Sequence, residues 1–144
     1  MPGKKFDFLE HTADAYIAAY GSSLAEAFEN AALAMFEVMT DTDKVVPRIE
    51  DRVEVSGHDE QALLYSWLEA LLIKSDVKRM LYSRFKISEI DDSKGFFVLK
   101  ANVGGEEFDP VRHAQRVGVK AVTYHRMEII RQPAGVTVKF ILDI

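Results

Sequence analysis

The sequence contains no cysteine. That removes disulfide scaffolds, zinc knuckles and thiol nucleophiles at once, and it is in keeping with a reducing interior. Proline is scarce, four in 144 residues, and each one lies outside the two strongest helical patterns, as helix breakers should. No apolar run approaches the length of a membrane span. The opening residues Met1 to Phe6 lack the apolar stretch of a signal peptide, and Asp7 and Glu10 follow directly. The expected compartment is therefore the cytoplasm. Repeats, linkers and low-complexity tracts are missing too, as are a Walker-A lysine loop, a dinucleotide glycine fingerprint and a Gly-x-Ser-x-Gly elbow. Nothing local announces an enzyme.

What is present suits one soluble globular domain spanning 1–144. Apolar residues make up 48% and charged residues 28%, an ordinary balance for a chain that folds without staples. The net charge of −5 conceals an asymmetry. Residues 1–72 carry 5 Lys/Arg against 14 Asp/Glu, and residues 73–144 carry 13 against 9. The chain as a whole is not a basic, phosphate-coating nucleic-acid binder.

The periodicity reads as two strands, a helix, a strand, a helix and four strands. Phe6 and Phe8 alternate with polar neighbours, and residues 15–20 form a second strand before Gly21. Ser23 followed by Glu26 is a capping box. It opens a helix whose apolar face is Leu24, Ala27, Phe28, Ala31, Met35 and Val38, ending near Met39. Val53 and Val55 mark a short strand. A second helix from about Asp59 carries the wide stripe Leu63, Leu64, Trp67, Leu68, Leu71 and Leu72, with Ser75-Asp76 as its expected end.

Every strong pattern after that is β. Phe85 and Ile87 alternate with polar residues, Asp91 to Gly95 is a turn, and Phe96 to Val103 is an apolar strand that Gly104-Gly105 should close. Residues 117–130 follow, then a turn at Pro133-Ala134-Gly135. The last strand should bury Val136, Val138, Phe140 and Leu142 on one face. Short turns favour antiparallel pairing. The predicted class is α+β, order ββαβαββββ, with two amphipathic helices packed on antiparallel sheet.

Two places could carry chemistry. One is Glu10-His11-Thr12-Ala13-Asp14, between the first two strands. The other is the end, Leu142-Asp143-Ile144, where the strand pattern runs to the last residue. An ordered strand there sets a terminal carboxylate beside the Asp143 side chain. If Asp14 came near, three anionic groups would converge and would need a cation or raised pKa values. Oxygen donors without sulfur select a hard ion such as Ca²⁺ or Mg²⁺; equally, free carboxylates are usually just solvated.

The histidines His11, His58, His113 and His125 show no His-x-x-x-His spacing. They read either as hydrogen-bonded structural groups or, through folding, as part of a metal-hydrolase site using Asp14, His11 and His125. If the strand around residue 120 has one buried face, Val119, Ala121 and Thr123 share one side. Lys120, Val122 and Tyr124 then share the other, and Lys120 either faces a partner or phosphate or blocks edge pairing. The acidic stretch Gly104 to Asp109 reads as the cap of a hairpin. Asp41-Thr42-Asp43 lacks the glycine and distal glutamate of a calcium loop.

Several stretches together resemble the archease family. They are Phe8 to Asp14, Gly21 to Phe28, Leu63 to Leu68, Val119 to His125 and the closing Leu142-Asp143-Ile144. They occur in family order and span nearly the whole chain. One departure stands out: the family usually has an aliphatic and then a small residue after Asp14, whereas this chain has Ala15-Tyr16, a bulky ring beside the presumed site.

The resemblance implies an accessory protein, not an enzyme. Its partner would be an RtcB-type RNA ligase of tRNA splicing. It would promote guanylylation of the ligase and multiple turnover, and can broaden nucleotide use. It also implies a metal site, usually described with calcium, at the Asp14 side chain, the Asp143 side chain and Ile144. His11, Lys120 and His125 lie in family motifs as possible partner or second-line contacts. Contact with RNA is left open, and no membrane is involved. Two other readings compete: a general chaperone or adaptor working through an exposed apolar patch, and a stand-alone metal-dependent hydrolase.

Overall fold

A computed structural model describes residues 3–9 and 14–144. The elements are β1 (Phe6–Leu9), β2 (Ala15–Gly21), α1 (Leu24–Met39), β3 (Ile49–Gly57), α2 (Glu60–Lys78), β4 (Met80–Asp91), β5 (Phe97–Glu107), β6 (Ala121–Gln132) and β7 (Gly135–Asp143). A single 3₁₀ turn at Thr42–Lys44 follows α1. The predicted class and element order both hold.

The strands form two antiparallel sheets, β1-β2-β7-β6 and β3-β5-β4. Each helix packs against strands of both sheets. That explains why α1 buries Ala27, Phe28, Ala31, Ala32, Ala34, Met35 and Phe36, a wider arc than one sheet would need. One contiguous core joins the two layers around Trp67, Tyr82, Phe28, Phe36 and Phe140. Trp67 is fully buried, and its indole N–H donates to the Phe28 carbonyl at 2.9 Å. The large ring is thereby buried without an orphaned donor.

Local chemistry sets the element ends. Ser23 caps α1 by accepting the Glu26 N–H at 3.1 Å, and the Glu26 carboxylate reaches back to the Ser22 N–H at 2.6 Å. Asp59 caps α2 through the Ala62 N–H at 2.7 Å. The expected stop at Ser75-Asp76 does not occur. The Ser75 hydroxyl is buried and donates to the Met80 carbonyl just past the helix, so it does not need to end α2, which runs to Lys78 with Arg79 left-handed at φ 56°.

β5 also outruns its expected end. Gly104 and Gly105 are strand residues, and Glu106 is buried, so no hairpin cap exists there. The reason is close approach: a Cβ on Gly105 would lie 1.8 Å from the Leu81 carbonyl oxygen, where β4 is bulged between Tyr82 and Arg84. The glycine pair lets two strands pass and does not end one.

Candidate functional site at the paired ends of β2 and β7

β2 and β7 are hydrogen-bonded neighbours, with Tyr16 opposite Ile141 and Ala15 opposite Leu142. Asp14 directly precedes β2 and Asp143 is the last residue of β7, so each adjoins its member of this final pair along the chain. The two sequence stretches singled out for chemistry thus finish at the same end of the same sheet. Asp14 is half-buried and Asp143 exposed.

The two faces of this sheet differ. Ile17, Ala19, Val138, Phe140 and Leu142 belong to the core beneath the helices. Tyr16 and Ile141 are buried but lie outside that core cluster, on the opposite face. Side chains alternate along a strand, so Asp143 shares the outer face with Ile141 and Tyr16. Ile144 follows, half-buried and packed against the core edge. His11, with Glu10, Thr12 and Ala13, lies outside the described residues.

Lys120 and His125 sit on the other flank of β7. The Lys120 N–H donates to the Asp143 carbonyl at 2.7 Å, and its side chain is exposed. The expected facing of this strand is corrected. β6 begins only at Ala121, Val122 pairs with Leu142 in the core, and Ala121 and Thr123 take the outer face. Val119 is buried from the preceding loop and not from the strand.

β6 then leaves its ladder. Thr123 pairs with Ile141 and Glu128 with Lys139, so Tyr124 to Met127 all stand against the single residue Phe140. His125 is exposed within this loop-out. Tyr124 is 54% exposed and stacks in parallel on Tyr65 of α2, ring centroids 4.4 Å apart. Arg126 is left-handed at φ 57° and lays its guanidinium over the Tyr16 ring, 5.2 Å from the centroid.

The donor chemistry of the described residues fits a hard cation: Asp14 and Asp143 offer carboxylate oxygens from adjacent strand ends. Among the described residues, no three His, Cys, Asp or Glu side chains converge on one point. An open groove of about 700 Å³, lined by Lys4, Lys5, Tyr20, Asn30 and Arg84, lies at the far end of β2 and is no part of this site.

The Archease protein family (MTH1598/TM1083) matches residues 6–144. The protein archease of Sulfurisphaera tokodaii is 48% identical over 98% of this chain and 99% of its own length. That of Pyrococcus furiosus is 42% identical over 92% of each. The chain belongs to the archease family. The solution structure of Methanobacterium thermoautotrophicum protein 1598 superposes with a TM-score of 0.86 at 46% identity, covering 97% of this chain and 99% of that one. No helix among the described residues of this archease is long and apolar enough to cross a membrane.

A second charged cluster went unnoticed in the sequence. In this archease Glu106 is 3% exposed and His113 is 3% exposed. The Glu106 carboxylate accepts from the Val46 N–H at 2.7 Å and from His113 Nε2 at 2.9 Å, and it pairs with Arg48 at 3.0 Å and Arg112 at 2.5 Å. The Asp109 N–H donates to His113 Nδ1 at 2.8 Å, which fixes the ring proton on Nε2. Burial alone would raise the Glu106 pKa. The hydrogen bonds from Arg112, Val46 and His113 and the Arg112 charge outweigh it and hold the group down at about 2. His113 is thus a structural histidine. The one signal in the sequence was the glycine pair ahead of Glu106, which marks close backbone packing.

Proposed function

We propose that this chain is an accessory protein of an RtcB-type RNA ligase, binding a hard divalent cation such as calcium and catalysing no reaction itself. The observation that carries the reading is family membership across residues 6–144. The neighbouring register of Ala15 and Leu142, which brings Asp14 and Asp143 to one sheet end, supports the cation part.

The physical task of such a helper is to favour the ligase conformation in which nucleotide, metal and the ligase's own histidine are aligned for guanylylation. It does so by binding that conformation better than the resting one. Alignment can contribute on the order of 7–11 kcal/mol to lowering a barrier at best. In this chain Asp14, Asp143 and the terminal carboxylate at Ile144 would hold the cation. Lys120, exposed beside Asp143, and His125, exposed further along β6, would meet the partner; His11 lies in a family motif as well. When bound, the cation would supply positive charge at an otherwise anionic sheet end.

The test is guanylylation of a cognate ligase with GTP, with and without this protein. Addition should raise the guanylylated fraction and multiple-turnover joining. Asp14→Ala and Asp143→Ala should each lose the effect while keeping native circular dichroism. Full activation by both variants would remove the cation assignment, and no activation by the unaltered protein would remove the ligase partnership.

A further inference from the structure

We infer that Arg126 is the counter-charge of the Asp14–Asp143 pair and sets how tightly this site holds a cation. The inference rests on the cation site proposed above. Its starting point is the bulky, buried Tyr16 two residues after Asp14.

The geometry gives Tyr16 a partner. In the order β2-β7-β6, a side chain leaving β6 must cross β7 to reach β2. The loop-out at Tyr124 to Met127 supplies the surplus chain, with Arg126 in the left-handed conformation within it. Its guanidinium comes to rest on the Tyr16 ring. Ile141, the β7 residue between Thr123 and Tyr16, lies on that path and is 2% exposed although it is on the sheet's outer face.

Three consequences follow from where the ring stands. Tyr16 is two residues from Asp14 in sequence and Ile141 two from Asp143, so the backbone under the Tyr16 ring is about 7 Å, one same-face strand step, from the strand ends that carry the carboxylates. Arginine keeps its charge at every relevant pH. A fixed positive charge at that spacing attracts the carboxylates and repels an incoming cation. Among the described residues, the contact of the Arg126 guanidinium is the Tyr16 ring. The looped-out strand therefore offsets part of the repulsion between Asp14 and Asp143 when no ion is present, and it weakens the ion's hold when one is.

The experiment is a terbium titration of the full chain followed by luminescence, with calcium as competitor. Terbium is a hard oxygen-seeking ion, and Tyr16 beside the site serves as its antenna. Arg126→Gln should bind terbium and calcium about three- to tenfold more tightly than the unaltered protein at low salt. The gap should close as salt is raised, and Arg126→Lys should stay near the unaltered protein. Asp143→Asn should lose binding. Equal affinity in Arg126→Gln and the unaltered protein, with binding lost in Asp143→Asn, overturns the role of Arg126 alone. Undiminished binding in Asp143→Asn removes the cation site and the counter-charge role together.

Discussion

Glu106 and Asp143 are both strand-end carboxylates, yet one stands at the buried end of β5 and the other at the exposed end of β7. Every oxygen of Glu106 is occupied by this chain's own donors: Val46, Arg48, Arg112 and His113. Its negative charge is matched from inside, and no foreign ion is needed or accommodated. Asp143 pairs with Ala121 through its backbone and accepts from the Lys120 N–H, and the residue is exposed. The difference separates a carboxylate that holds a protein together from one that can serve chemistry. Burial and donor count decide which is which, not residue type.

The largest expected effect tests the structural half of that contrast. Glu106→Ala strands two arginines, a buried imidazole N–H and the Val46 N–H. It should cost about 3–5 kcal/mol of stability in urea denaturation at neutral pH. A loss under 1 kcal/mol would show that the cluster is solvated in practice.

A smaller effect comes from acid. Glu106 titrates near 2 when folded, against an ordinary 4.5. Its folded value is the lower one, so the unfolded chain takes up more protons in between, and stability present above about pH 4.5 is lost as pH falls towards 2. The contribution is roughly 2–3 kcal/mol. Measured stability should slope downward across that window in the unaltered protein and less steeply in Glu106→Gln; parallel slopes would break the assignment.

The smallest effect belongs to the other carboxylate. Asp143→Asn should change unfolding free energy by no more than about 0.5 kcal/mol in the absence of divalent ions, as exposed substitutions do. A large loss there would place Asp143 with Glu106 among the structural groups and blunt the comparison.

Much of this architecture was legible beforehand because it rests on local rules. The capping residues Ser23 and Asp59, the apolar stripe through Trp67 and the alternation along β7 each report themselves in a short window. Readings failed where one segment answers to a distant one. Gly104-Gly105 looked like a stop because the β4 backbone that demands the glycines is not visible in the sequence. Ser75 looked like an end because its acceptor, the Met80 carbonyl, lies past the helix. At the candidate site, Asp14 and Asp143 were identifiable as residues, but that β2 and β7 are paired neighbours ending on the same side was not. Arg126 gave no signal at all: a left-handed arginine has no compositional mark, and its ring partner is 110 positions away.

Arg116, in the long connection from β5 to β6, has a consequence of its own. It donates to the Glu37 and Thr40 carbonyls and to the Glu37 carboxylate, while the Arg116 and Val117 amides bond to Met39 and Val38. Helix α1 has no basic residue in its own last turn, so the cation that complements its negative end is borrowed from a loop more than seventy positions downstream. The helix terminus and the crossover are therefore fastened like a buckle and its strap. Loosening either one breaks bonds that hold the other.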